Sequence, residues 1–164
     1  VRLRGLLAAA FMTVCLLSGA LSLVREGISS YVLFTPSEAA AAEFIEENLP
    51  MDSVFLTGTQ HNNAVAALTG RKIVCGSPSY LYYHGVDYSD REDAVAEMYE
   101  FPAESAELFE IYDVDYIYLS ANEQYNFDVD ITGLYAMGEV VYENDFVTII
   151  DVTEYGDGRG EEQT

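Results

Sequence analysis

Basic residues are scarce in this chain. Seven Lys and Arg stand against 28 Asp and Glu, a formal net charge of −21. An excess of that size repels phosphate backbones and anionic headgroups alike, which excludes a nucleic-acid-binding role. Cysteine is nearly absent, with only Cys15 and Cys75. Cys15 falls inside an apolar run and Cys75 far outside it, so neither a disulfide framework nor a Cys-rich zinc site is available. Cys75 reads as a small buried hydrophobe at the end of a strand. No Gly-x-Ser-x-Gly elbow and no phosphate-cradling glycine loop occur, and Ser77-Pro78-Ser79 lacks a context that activates a hydroxyl. The sequence has no internal repeat. No complete catalytic apparatus is visible, no catalytic residue is assigned, and no cofactor is implied.

What is present begins with Gly5–Val24, a run without a single charge, preceded by Arg2 and Arg4. As a helix rising about 1.5 Å per residue, it covers the roughly 30 Å hydrocarbon core of a bilayer. Backbone groups in lipid satisfy one another, so the run is predicted to be a transmembrane helix within residues 1–26. A cleaved secretory signal is the rival reading, with Ser18-Gly19-Ala20 as the cleavage context, but apolar character continues through Leu21 and Leu23 beyond the usual h-region of roughly 7–15 residues. Either way Arg2 and Arg4 mark the cytoplasmic flank, placing residues 27 onward outside. The expected location is therefore the cell membrane, with the lipid bilayer as a partner and a domain on the extracytoplasmic face. Val1 reads either as an alternative start or as the boundary of a longer protein.

Only Glu26 of the 28 acidic residues precedes position 27, whereas Arg2, Arg4 and Arg25 all do, so the outer part is more acidic still. Such a surface is ordinarily a solvated one; a cation-binding face is the sharper alternative. Residues 27–155 suffice for one domain with a real core, and residues 156–164, Gly- and Glu-rich without an apolar anchor, are expected to be a disordered tail.

Residues 29–34 read as a short extended connector. Thr35-Pro36-Ser37-Glu38 opens a helix that Pro50 ends, with Ala40, Ala41, Phe44, Ile45 and Leu49 as its apolar stripe. Val54-Phe55-Leu56 is a buried strand, residues 62–68 a short helix stopped by Gly70, and residues 72–75 a second strand. Residues 78–88 read as a loop holding four tyrosines. Ser89-Asp90-Arg91-Glu92 has capping-box spacing and starts a helix to Glu100, followed by another over residues 103–112. Residues 116–119 are a third strand, and residues 139–142 and 146–152 flank a β-hairpin turn. The expected fold is α/β: one N-terminal transmembrane helix, then a small layered domain with a mostly parallel sheet and a C-terminal β-hairpin.

Ligands of open α/β sheets bind beyond the carboxyl ends of the strands. His61, Asn62 and Asn63 follow the first strand, Tyr80, His84, Asp87 and Tyr88 follow the second, and Glu123 follows the third. These eight are the candidate substrate-binding residues. Each has a plainer reading. Asn62 or Asn63 caps the next helix, a histidine in a turn is usually a hydrogen-bonded structural residue, and the tyrosines pack across the domain or sit near headgroups. A metal site from His61, His84, Asp87 and Glu123 is conceivable, but no pair has diagnostic spacing, so no metal is assigned. Tyrosines flanking polar side chains also suit stacking on a sugar ring.

Several segments in order carry a resemblance. They are the apolar helix ending in Ser18-Gly19-Ala20-Leu21 and Arg25, Ala42-Glu43-Phe44-Ile45-Glu46-Glu47-Asn48, Val54-Phe55-Leu56-Thr57, His61-Asn62-Asn63-Ala64-Val65, Leu68-Thr69-Gly70-Arg71, Gly76, Tyr80-Leu81, His84-Gly85, Asp87-Tyr88, Met98-Tyr99, Val114-Asp115-Tyr116-Ile117 and Glu123. Over residues 3–152 the chain resembles the carboxy-terminal end of polytopic bacterial and archaeal membrane proteins related to GT-C-class glycosyltransferases. There the last transmembrane helix is followed by a soluble α/β domain outside the cell. The resemblance implies a parent enzyme that transfers sugar from a polyprenyl-phosphate donor to a lipid or surface glycan. The catalytic carboxylate of such enzymes lies in the first outward loop, which this chain lacks. The resemblance therefore implies an inactive chain that helps bind a lipid-linked sugar or surface glycan, with His61, Asn62, His84, Asp87 and Tyr88 facing a membrane-proximal cavity. Two other readings stand beside it: a stand-alone anchored or secreted glycan- or protein-binding module, and a small metal-dependent hydrolase built on His61, His84, Asp87 and Glu123.

Overall fold

The computed structural model of the chain describes residues 2–30 and 32–157. The chain divides into two compact units, Val1–Leu33 and Phe34–Thr164. The first is one helix, α1 (Arg2–Ile28). Over Leu3–Ile28 it is long and apolar enough to cross a membrane, with its side chains exposed throughout. Thr13 and Ser22 donate their hydroxyls to the carbonyls of Ala9 and Ser18 one turn back. The helix thereby satisfies these polar groups internally, as a hydrocarbon environment demands.

The second unit opens with α2 (Pro36–Asn48), whose start is encoded locally. Thr35 Oγ1 accepts the Glu38 N–H while the Glu38 carboxylate accepts the Thr35 N–H, and Pro36 fills the first turn, where no donor is missed. Its other end is held from a distance. Arg71, buried, donates to the carbonyls of Ile45 and Leu49 at 3.2 and 2.9 Å and to that of Thr69 at 3.1 Å. A fixed positive charge there complements the negative end of the helix dipole.

Five strands form one sheet: β1 (Val54–Leu56), β2 (Lys72–Ile73), β3 (Tyr116–Ser120), β4 (Glu139–Glu143) and β5 (Val147–Asp151), in the order β2-β1-β3-β5-β4. β1 pairs parallel with β2 and β3, but β5 pairs antiparallel with both β3 and β4. The sheet is therefore mixed, which corrects the expectation of a mostly parallel one. The expected β4–β5 hairpin is present and forms one edge of the sheet. β5, buried at Val147–Ile150, lies beside the fully buried β3, with β4 at the rim. A tight turn fixes β4 and β5 antiparallel, and burial of β5 against β3 extends that sense inward.

Helices cover both faces. α4 (Ser89–Glu100), α5 (Ala106–Ile111) and α7 (Ile131–Met137) supply Val95, Met98, Tyr99, Phe109 and Leu134, packed with Leu56, Ile117, Leu119 and Ile150. α2 and a π-helical turn at Val65–Thr69 cover the other face, where Ala41, Ile45 and Val65 meet Phe55, Tyr116, Tyr118 and Ile149. The alternation along β3, Tyr116 and Tyr118 against Ile117 and Leu119, is the period-two pattern of a strand buried on both sides.

Local differences have physical causes. β2 ends at Ile73, not Cys75. Residues 78–83 are helical (α3, Pro78–Tyr83) although none of them is buried. Ser89 is the first residue of α4 and not its cap; it donates its hydroxyl and N–H to the Asp87 carboxylate. The second of the two middle helices is confined to Ala106–Ile111. α6 (Ala121–Asn126), α7 and α8 (Thr153–Asp157) are additional. Of the expected tail, residues 158–164 lie outside the described residues.

Candidate functional site

The carboxyl ends of β1 and β3 form the natural crevice of this sheet. After β1 the chain turns onto the α2 face, where Ala64 and Val65 pack. After β3 it passes through α6 to Phe127 and Leu134 on the opposite face. Diverging connections from neighbouring parallel strands open such a crevice in α/β proteins. Here it is filled by Glu123, whose side chain is wholly buried.

Glu123 reaches this place because Ser120 caps α6. The Glu123 carboxylate accepts the Ser120 N–H at 2.9 Å and the Ser120 hydroxyl, completing a capping box. Its second oxygen accepts the N–H of Gly58 at 3.0 Å from the loop after β1. That loop is fixed again by Asn63, whose amide donates to Thr57 Oγ1 at 2.7 Å and to the Gly58 carbonyl at 3.0 Å. Asn63 Oδ1 accepts the Ala66 N–H, so the same side chain caps the π-helical turn. A side chain at position 58 has no room: a Cβ there meets Glu123 Oε1 at 2.9 Å and Asn122 Nδ2 at 3.0 Å.

From beneath, the Tyr99 hydroxyl lies 2.7 Å from the Tyr118 carbonyl and 3.1 Å from that of Leu56, bridging the two strand ends. Burial, then the charge of Glu123, raises the Tyr99 pKa well above the ordinary phenol range. Tyr118 is raised too, by burial first and then by Glu123, Glu38 and Tyr142. A buried carboxylate surrounded by N–H and O–H donors and protonated phenols is a structural anchor of the two loops, with its lone pairs directed at protein donors.

The candidate residues separate into three groups. Asn63 and Glu123 meet through Gly58, both on buried side chains. His61 and Tyr80 meet at the surface, edge to face with ring centroids 6.2 Å apart. His84, Asp87 and Tyr88 follow α3, where Asp87 and Tyr88 line a shallow cavity of about 410 Å³ with Tyr82 and Val86. Asn62, half-buried, lies between Asn63 and His61. Among the described residues no group of three or more His, Cys, Asp or Glu is disposed to hold a metal ion, so His61, His84, Asp87 and Glu123 do not assemble as one.

Tyr80, Tyr82 and Tyr83 are 57, 68 and 84 % exposed, and His84 follows them at the surface. Tyr82 and Tyr83 stand edge to face, 5.5 Å between centroids. Thr57, Gly58, Ser120 and Tyr99 belong to the crevice but were not among the sequence candidates. Of these only Ser120 carried a signal, the Ser-x-x-Glu spacing to Glu123. Cys75 is buried, with its thiol pKa raised by burial, then by Glu92, against a lowering by Arg91.

No family model and no curated protein matches this chain.

Proposed function

We propose that this chain is a membrane-anchored recognition domain, acting as the extracytoplasmic substrate-binding portion of a GT-C-type, polyprenyl-phosphate-sugar-dependent glycosyltransferase. The observation that carries the binding role is the surface of α3 and its flank. Tyr80, Tyr82, Tyr83 and His84 are exposed, with His61 against Tyr80, on a short helix that reaches the core only through the half-buried Leu81. Aromatic faces beside imidazole and carboxylate groups suit the C–H faces and hydroxyls of a sugar. The buried polar groups nearby, Glu123 and Asn63, hold the loops in place and leave recognition to the surface side chains. α1 supplies the anchor, and Arg2 and Arg4 orient the domain outward by the positive-inside rule. The GT-C assignment rests on the resemblance alone. A stand-alone anchored glycan-binding module uses the same surface and is favoured by the compactness of Phe34–Thr164 as a unit of its own.

The test is binding by the whole chain in nanodiscs, titrated with a polyprenyl-phosphate hexose and, separately, with soluble oligosaccharides. Saturable binding of the lipid-linked sugar, weakened about tenfold or more by Tyr80→Ala and His84→Ala, supports the proposal. Binding of free oligosaccharides alone leaves the stand-alone module. No binding of either class, or binding unchanged in both variants, overturns the recognition role.

A further inference from the structure

The carboxyl edge of the sheet carries a second concavity, separate from the α3 surface. A cavity of about 570 Å³ lies between the first turns of α2 and α6 and the β4–β5 turn, with Thr35, Pro36, Glu38, Ala121, Asn122 and Phe146 in its wall. That volume falls in the range of small-ligand sites.

Two helices begin at this cavity, and an anion is the usual ligand of such a place. Here both beginnings are closed by their own carboxylates. Glu38 accepts the Thr35 N–H at 2.7 Å and its hydroxyl at 2.9 Å, and Glu123 accepts the corresponding pair from Ser120. Pro36 removes one further donor. Ser120 Oγ accepts the Asn122 N–H, and the Ser37 carbonyl accepts from the Asn144 amide at 3.0 Å. An incoming phosphate or carboxylate meets the Glu38 carboxylate in the wall, in a chain whose overall charge is already −21. The side chains of Thr35, Glu38 and Ser120 are thus committed within the protein.

The apolar groups are not. The Pro36 ring, the Ala121 methyl and the Phe146 ring contribute to the wall, and Phe146 is 63 % exposed on the β4–β5 turn. Charge therefore selects against anions, and the Pro36, Ala121 and Phe146 surfaces suit an apolar body. We infer that this cavity binds an uncharged ligand with a compact aromatic or aliphatic body, of the aryl- or alkyl-alcohol class. The inference stands on this cavity alone and does not depend on sugar recognition at α3.

Three probes of equal size and different charge decide it: benzyl alcohol, benzoate and benzylammonium. The whole chain, methyl-labelled at Ala and Thr, is titrated in nanodiscs and followed by NMR. Benzyl alcohol is expected to shift the Ala121 and Thr35 methyl signals saturably, with benzoate weaker by about tenfold or more. Phe146→Ala, at an exposed ring, and Ala121→Leu, which fills the cavity, are each expected to weaken benzyl alcohol about fivefold or more while the thermal midpoint holds. Equal binding of benzoate, tighter binding of benzylammonium, shifts spread over the chain without saturation, or full binding in both variants overturns the inference.

Discussion

Glu123 Oε1 accepts the backbone N–H of Gly58 at 3.0 Å, joining loops 65 residues apart at the carboxyl ends of adjacent parallel strands. The contact decides how this edge works. A crevice that in other α/β proteins receives a ligand is occupied by the protein's own carboxylate. Glu123→Gln keeps the volume but replaces one acceptor oxygen with a donor among N–H and O–H groups. Loss of about 1–3 kcal/mol of stability is expected, read from urea unfolding of the chain with m unchanged. An unchanged midpoint removes the anchoring role.

Gly58→Ala tests the same contact from the other side. The added Cβ meets Gln60 Oε1 at 2.5 Å, Glu123 Oε1 at 2.9 Å and Asn122 Nδ2 at 3.0 Å. Gln60 is half-exposed and can swing away, but Glu123 is held by Ser120. A cost of about 1–3 kcal/mol follows from overpacking. Because both substitutions disturb one contact, their double variant is expected to cost less than the two single costs together. Strict additivity counts against a shared origin.

The features legible in the sequence are the ones whose causes are local. Thr35-Pro36-Ser37-Glu38 contains its own cap, first-turn proline and reciprocal carboxylate, and α2 begins there as expected. Gly70, at φ 67°, ends the π-helical turn as a left-handed glycine should. The Ser120-x-x-Glu123 spacing is the same signature, yet its consequence was hidden, because Gly58 is not a sequence neighbour. The sense of the sheet was hidden for the same reason. Pairing Tyr116 with Asp151 is a tertiary event, and nothing within β5 states which strand it will join. α3 escaped a periodicity argument because only Leu81 packs on the core, and only in part, too little for an apolar stripe. The scattering of His61, His84 and Glu123 follows from loop paths that strand order alone does not fix.

Two tyrosines on the same strand-end network separate a bonded hydroxyl from an unbonded one. Tyr99 Oη bridges the carbonyls of Leu56 and Tyr118, whereas Tyr118 Oη is buried without a hydrogen-bond partner among the described residues. Tyr99→Phe is expected to cost about 1–1.5 kcal/mol, and Tyr118→Phe to be neutral or slightly stabilising. Calorimetric melting of the two variants side by side checks the order. A larger loss at Tyr118 contradicts the assignment.

The same phenols make stability depend on alkaline pH. Burial raises Tyr99, Tyr118 and Tyr116 above their ordinary values, and Cys75 likewise. Nearby carboxylates, Glu123 for Tyr99 and Tyr118, Asp151 and Asp115 for Tyr116, add to the effect. In the unfolded chain thiols titrate near 8.5 and phenols near about 10, so above those values the unfolded state binds fewer protons than the folded one. Stability is then complete below the unfolded values and falls as pH rises toward the folded ones, by up to about 1.4 kcal/mol per pH unit for each group. Urea midpoints are expected to be level on this account between about pH 7 and 8 and to decline from about pH 9 upward. Tyr99→Phe removes one of the titrating groups, so its decline is shallower than that of the parent chain. A midpoint that stays level to pH 11 means that these phenols ionise in place, and the buried network around Glu123 is then far more accessible to water than its geometry indicates.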